Sequence, residues 1–314
     1  MDYSALIKKS FSFAWNNRIL WLFGFLSGGT STVGYIDSSG FNFTLPSSTP
    51  RLPELKETSK VLGVSDNTLG AIPMETWLII ILIIGLVVLA GILISIFITN
   101  WASAALVYSI LHRNIQKPSF SIGAKAGLKF WWRFYLLTLV VGMFILAVLA
   151  VLALPVIFLF LTKWKALAVV ILILAIVVFV IFLFIVSVIA TLLITISQRM
   201  IIHKGTKVLD SLRLSSHLIK KNLGESIITY FLAIGLNIAA GSVFFLAFIP
   251  IGIVLFLLFL AGMAFGGVWG ALVILGVIAI PLLLILATAG GFWSTFQATY
   301  WTLFYEHLAS KEGW

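Results

Sequence analysis

Residues 226–305 run for about eighty positions without one charged side chain. A bilayer crossing needs only ~20 apolar residues, so this run must fold back on itself at least once. The sequence AGMAFGGVWG at 261–270 supplies the glycines for that turn. Three further uncharged runs lie at 77–111, 134–162 and 166–198, and a shorter one at 19–35. None alternates apolar and polar residues as an outer-membrane barrel strand does. The expected fold is therefore all-α, a polytopic membrane bundle of six transmembrane helices arranged as three hairpins. With 61% apolar and only 10% charged residues, a water-soluble reading is excluded.

The formal charge of +10 could point to nucleic acid, but its placement argues for a membrane instead. Alternating crossings put fifteen cations on one face: Lys8, Lys9, Arg18, Arg113, Lys117, Lys125, Lys129, Arg133, Arg199, Lys204, Lys207, Arg213, Lys220, Lys221 and Lys311. Only Arg51, Lys56, Lys60, Lys163 and Lys165 fall on the other. The positive-inside rule makes the rich face cytoplasmic, which predicts a multi-pass protein of a prokaryotic inner membrane with both termini in the cytoplasm. No nucleic-acid partner is expected. Without cysteine there is neither a disulfide nor a thiolate metal site. The N-terminus does not read as a cleavable signal peptide, because 19–35 carries Trp and Phe and no small-x-small site.

Three amphipathic segments lead into the apolar runs. In 124–140, Lys125, Lys129 and Arg133 recur every fourth residue while Ala124, Leu128, Trp131 and Trp132 form an adjacent apolar stripe. Such a helix lies in a membrane interface, rings at headgroup depth and cations toward anionic lipid. Residues 1–18 and 204–222 repeat the device. The candidate anionic-lipid contacts are Lys125, Lys129, Arg133, Lys207, Lys220 and Lys221. Generic attraction to anionic lipid explains them adequately; recognition of a specific acidic lipid or protein partner is the sharper reading.

The chain reads as one transmembrane domain of three similar thirds, 1–113, 114–203 and 204–314. Each has a lead-in helix, a shorter span, an outer turn and a long span returning to the cation-rich side. The exits of spans two and six match as Asn100-x7-Tyr108 and Gln297-x7-Tyr305, with Gln198 at the same place in span four. Residues 37–75 form the one long water-exposed loop, rich in Ser, Thr, Pro and Gly, and Lys163-Trp164-Lys165 a tight outer turn. Run 77–111 would be roughly 50 Å long as a helix against a ~30 Å hydrocarbon core, so 103–113 should project beyond it.

Chemistry is sparse. Between these boundaries the spans hold no ionisable group, the usual pointer to proton or ion coupling. His112, His203, His217 and His307 all sit at cytoplasmic ends and show no i, i+4 ligand spacing. Glu306-His307 is the only adjacent acid and histidine there; no G-x-S-x-G elbow or P-loop occurs. No catalytic residue, metal or cofactor is expected. Uncharged polar residues remain, and Asn100, Tyr108, Gln198, Asn237, Gln297 and Tyr305 are the candidates for a polar cavity open to the cytoplasm. The same residues also serve as interhelical hydrogen-bond glue.

The opening KKSFSFAWNNRILWLFGFLSGG, at 8–29, with the six spans and amphipathic lead-ins, resembles a set of uncharacterised prokaryotic membrane proteins. These are similar to the membrane domain fused to some glycerophosphodiester phosphodiesterases. The resemblance implies no hydrolase activity, since no soluble catalytic barrel accompanies these spans and the membrane half contributes no catalytic residue. The expected role is a non-enzymatic scaffold or accessory subunit interacting with anionic lipid. The alternatives are a transporter or channel for an uncharged or lipidic substrate and, third, a lipid-modifying enzyme using Glu306 and His307.

Overall fold

The computed structural model describes residues 1–28, 74–161 and 165–313. The loop expected at 37–75, apart from its last two residues, the turn at 163–164 and the end of the first apolar run at 29–35 lie outside them. Among the described residues every regular element is helical: α1 (Tyr3–Asn16), α2 (Ile19–Leu26), α3 (Met74–Leu111), α4 (Phe120–Leu161), α5 (Lys165–Lys204), α6 (Val208–Lys221) and α7 (Leu223–Lys311). The chain divides into two compact units, 1–35 with 98–314, and 36–97. In the second, the described side chains of α3 from Ile79 to Ile94 are mostly exposed apolar groups. All packing below is within the first unit.

Among the described residues five helices are long and apolar enough to cross a membrane: Ile79–Leu111, Phe120–Val151, Phe179–Lys204, Leu223–Ala264 and Gly266–Lys311. The first apolar run is not among them. Its described helix α2 has eight residues and stops at Ser27, with Gly28 at φ 60°. At 1.5 Å per residue that is roughly 12 Å, well short of a crossing.

The eighty-residue run folds back inside the stretch expected from its glycines. Gly267 takes φ 59°, ψ −153°, a conformation that only glycine adopts freely, and α7 becomes two arms, α7a before it and α7b after it. The arms are antiparallel. A Cβ on Gly262 would stand 2.6 Å from the Ala271 Cα. Pro250 and Val254 share a cleft with Ile278 and Leu282. Trp293 Nε1 donates to Asn237 Oδ1 at 3.0 Å, and the Tyr300 hydroxyl to the Thr229 carbonyl at 2.9 Å.

The core sits at the cation-rich ends. Ala102, Ala104, Ala105, Leu106, Val107 and Ile110 of α3, at the end that the length of run 77–111 predicts to project past the hydrocarbon, are all buried. This end is covered by other parts of the protein. Three apolar clusters lie there: Ile196 and Met200 of α5 with Trp301 and Phe304 of α7b; Phe23 with Leu106; and Phe134 with Val107 and Ile201.

The lead-in helices close this core in a cyclic pattern. The start of α4 lies on the end of α3, where Trp101 Nε1 donates to the Ala124 carbonyl at 3.0 Å. Helix α6 lies on the end of α5, where the Ser197 hydroxyl donates to Ser215 at 3.0 Å. Helix α1 lies on the end of α7b, Phe11 meeting Phe292 edge-on at 5.3 Å. Each buries a pair of small residues four apart: Ser10 and Ala14, Gly123 and Gly127, Ser211 and Ser215. That spacing puts both on one face and lets backbones approach. At Gly127 an added Cβ would stand 2.6 Å from the Trp101 carbonyl oxygen.

Candidate functional site

The cation-rich end gathers nearly all the polar chemistry of the described chain. Of the six polar-cavity candidates, the structure joins two directly: Gln297 donates to Asn237 Oδ1, which also accepts from Trp293. Gln198 is buried and its Oε1 has no partner among the described residues, as is the case for Asn237 Nδ2. Tyr305 is fully buried; its hydroxyl lies 2.9 Å from His203 Nδ1 and donates to Met200 Sδ at 3.6 Å. Tyr108 stacks on His112 with centroids 4.1 Å apart. Asn100 is half-buried on α3. These residues stand on several helix ends in separate bonded groups.

Arg199 corrects the charge assignment. A span ending at 198 places it with the water-boundary cations, yet its side chain is wholly buried. Helix α5 continues to Lys204, and Gly205 at φ 65° ends it there, so Arg199 is carried inside the bundle. Its Nη1 donates to the Thr195 carbonyl at 2.7 Å, Nη2 to the Ala298 carbonyl at 3.2 Å and Nε to Thr302 Oγ1 at 3.3 Å. No carboxylate of a described residue lies within ion-pair distance. The available signal is register: pairing Gln198 with Gln297 sets Arg199 level with Ala298, whose small side chain leaves room for a guanidinium.

The acidic residues are taken up by neighbours. Glu306 receives a bidentate pair from Arg113, at 2.7 and 2.6 Å, which ties the end of α3 to α7b. Glu225 pairs with Lys311 at 2.6 Å and approaches His307 Nε2 at 3.4 Å. Glu306 and His307, adjacent in sequence, therefore serve different partners. Among the described residues no three His, Asp or Glu side chains gather as a metal site.

Of the six lipid-contact candidates, two have protein partners. Arg133 Nη1 donates to the Gly205 and Thr206 carbonyls at 2.9 and 3.4 Å, closing the C-terminal end of α5. Lys221 pairs with Glu312 at 2.9 Å. Lys125, Lys129, Lys207 and Lys220 are exposed with no ion pair among the described residues; Lys129 stands 5.5 Å from the Phe130 ring centre. Lys220 and Lys221 occupy the last turn of α6 and Asp210 its first, the arrangement that the helix dipole favours.

A family model for a family of unknown function, DUF7544, matches residues 14–311. The chain belongs to that family. No curated protein and no solved structure matches it. The matched range takes in the last three residues of α1, all of the later helices, the fold-back and nearly every polar group described above, and carries no activity with it.

Proposed function

We propose that this is a non-enzymatic, multi-pass protein of a prokaryotic inner membrane, a scaffold or accessory subunit that binds anionic lipid at its cytoplasmic face. The observation that carries this reading is the split between cations and polar residues. Lys125, Lys129, Lys207 and Lys220 stand exposed and form no ion pair among the described residues, while Arg113, Arg199, Glu225 and Glu306 are consumed in fastening helices together. Unpaired lysines at the end of apolar helices are worth ~1 kcal/mol each against an anionic leaflet. On this reading residues 19–35 complete a sixth span and three hairpins, and the similarity to the membrane half of glycerophosphodiester phosphodiesterases concerns membrane architecture alone.

The test is lipid retention. Protein purified from mixed phosphatidylglycerol and phosphatidylcholine nanodiscs should keep phosphatidylglycerol preferentially, the excess shrinking as salt is raised. Equal retention of the two would end the proposal. The transporter reading has one observation in its favour, the unpartnered Gln198 Oε1 and Asn237 Nδ2. It requires substrate flux in liposomes that is lost in Gln198→Leu and Gln297→Leu; the scaffold reading requires none.

A further inference from the structure

A groove of about 540 Å³ opens between α5, α6 and the start of α7a. Val188 and Leu192 line it from α5, Ile219 and Lys220 from α6, and Leu223 and Phe231 from α7a. Its volume falls in the roughly 300–1,000 Å³ range of sites that enclose one small ligand. Every lining group except Ser216 and Lys220 is apolar. The Phe184 and Phe231 rings, 6.5 Å between centres, stand together at the end away from Lys220. From Leu223 to Phe231 the helix rises roughly 12 Å, close to half of a ~30 Å hydrocarbon core. The groove therefore has the depth of one leaflet.

Positive charge is concentrated at its other end. Lys220 has no ion pair among the described residues, in contrast to Lys221 beside it, which Glu312 occupies. Helix α7 begins two residues after α6 ends, and its N-cap residue Asn222 makes no capping bond to it. The Asn222 amide is turned back instead, donating to the Leu218 carbonyl at 3.2 Å. The first turn of α7, which begins three residues after Lys220, therefore has no side-chain cap on its backbone N–H groups. One carboxylate, Glu225, sits in that turn, and Lys311 at 2.6 Å balances it.

We infer that this groove is a binding site for one anionic phospholipid, an acyl chain lying along Val188, Leu192 and Phe231 and the phosphate resting on Lys220 and the α7 N-terminus. This rests on the anionic-lipid reading above and gives it an address. An ammonium and free N–H donors at one end of an apolar, leaflet-deep slot complement a lipid phosphate and its chain.

The experiment uses full-length protein in nanodiscs containing phosphatidylglycerol with a photoreactive diazirine on its acyl chain, and the matching phosphatidylcholine. In the wild type, crosslinks should map to 184–193 and 219–231, more strongly for phosphatidylglycerol. Lys220→Gln, an exposed change that leaves packing intact, should cut the preference for phosphatidylglycerol about fivefold, or ~1 kcal/mol. Val188→Trp fills the groove and should abolish crosslinks there for both lipids. If phosphatidylglycerol is preferred but its crosslinks fall elsewhere, or survive both variants, the groove assignment is overturned while the anionic-lipid reading stands. If the wild type holds the two lipids equally, the anionic-lipid reading itself falls.

Discussion

Arg199 takes a full charge into a buried site and meets only dipoles there, two carbonyl oxygens and a threonine hydroxyl. Desolvation of a guanidinium opposes this placement, and the three hydrogen bonds offset it. The balance resembles that of buried ionic groups replaced by apolar ones of equal size, for which the net change is small. Arg199→Met should therefore shift stability in detergent by no more than about 1 kcal/mol, whereas Arg199→Ala, which leaves a void against Ala298, should cost about 2–4 kcal/mol. Thermal or chemical denaturation of both variants decides this. Equal losses would mean that the hydrogen bonds, not the volume, hold α5 against α7b. The Arg113–Glu306 pair is a different case, being partly exposed on both sides. Glu306→Gln should lower stability by about 1 kcal/mol, and the deficit should shrink in high salt.

At the scale of elements, two adjacent glycines make opposite predictions. Gly291 is the point where α2 crosses α7b: an added Cβ there would run into the Trp21 carbonyl, and one on the facing Gly24 would run into the Gly291 carbonyl. The contact is reinforced by Thr295 Oγ1, which donates to the Leu20 carbonyl at 3.1 Å. Gly291→Val should separate the two helices at a cost of about 1–3 kcal/mol. Gly290 faces open space, so Gly290→Ala should leave the melting point unchanged or raise it, since glycine is a poor residue within a helix. A matching loss in both variants would place α2 somewhere other than against Gly291. The doublet alone marks a weak or a close-packed point; which of the two glycines makes the contact depends on the rotation of α7b about its axis.

Across the whole molecule, the charge asymmetry predicts orientation. The chain has no cysteine, so single cysteines can be introduced without background. A membrane-impermeant maleimide applied to intact cells should label Ser47→Cys in the polar 37–75 stretch and spare Ser310→Cys until the membrane is opened. The reverse pattern would invert the topology. Charge reduction at Lys125 and Lys129 together should weaken binding to anionic vesicles without moving the melting point, because neither side chain makes an ion pair among the described residues.

By itself the sequence determined that this chain is helical, that it carries several segments able to cross a membrane, and where the eighty-residue run turns. Those follow from local rules: uncharged length, the period of cations and apolar residues, and glycine at the fold-back. The burial of 102–107, the inward turn of Arg199, the divergence of Glu306 and His307 and the groove beside Lys220 were decided only in three dimensions. Each depends on which face of one helix meets which face of another. In runs apolar on every side, no hydrophobic stripe records that choice; it rests on small residues and a few hydrogen bonds, such as Ser197 to Ser215, between residues on different helices.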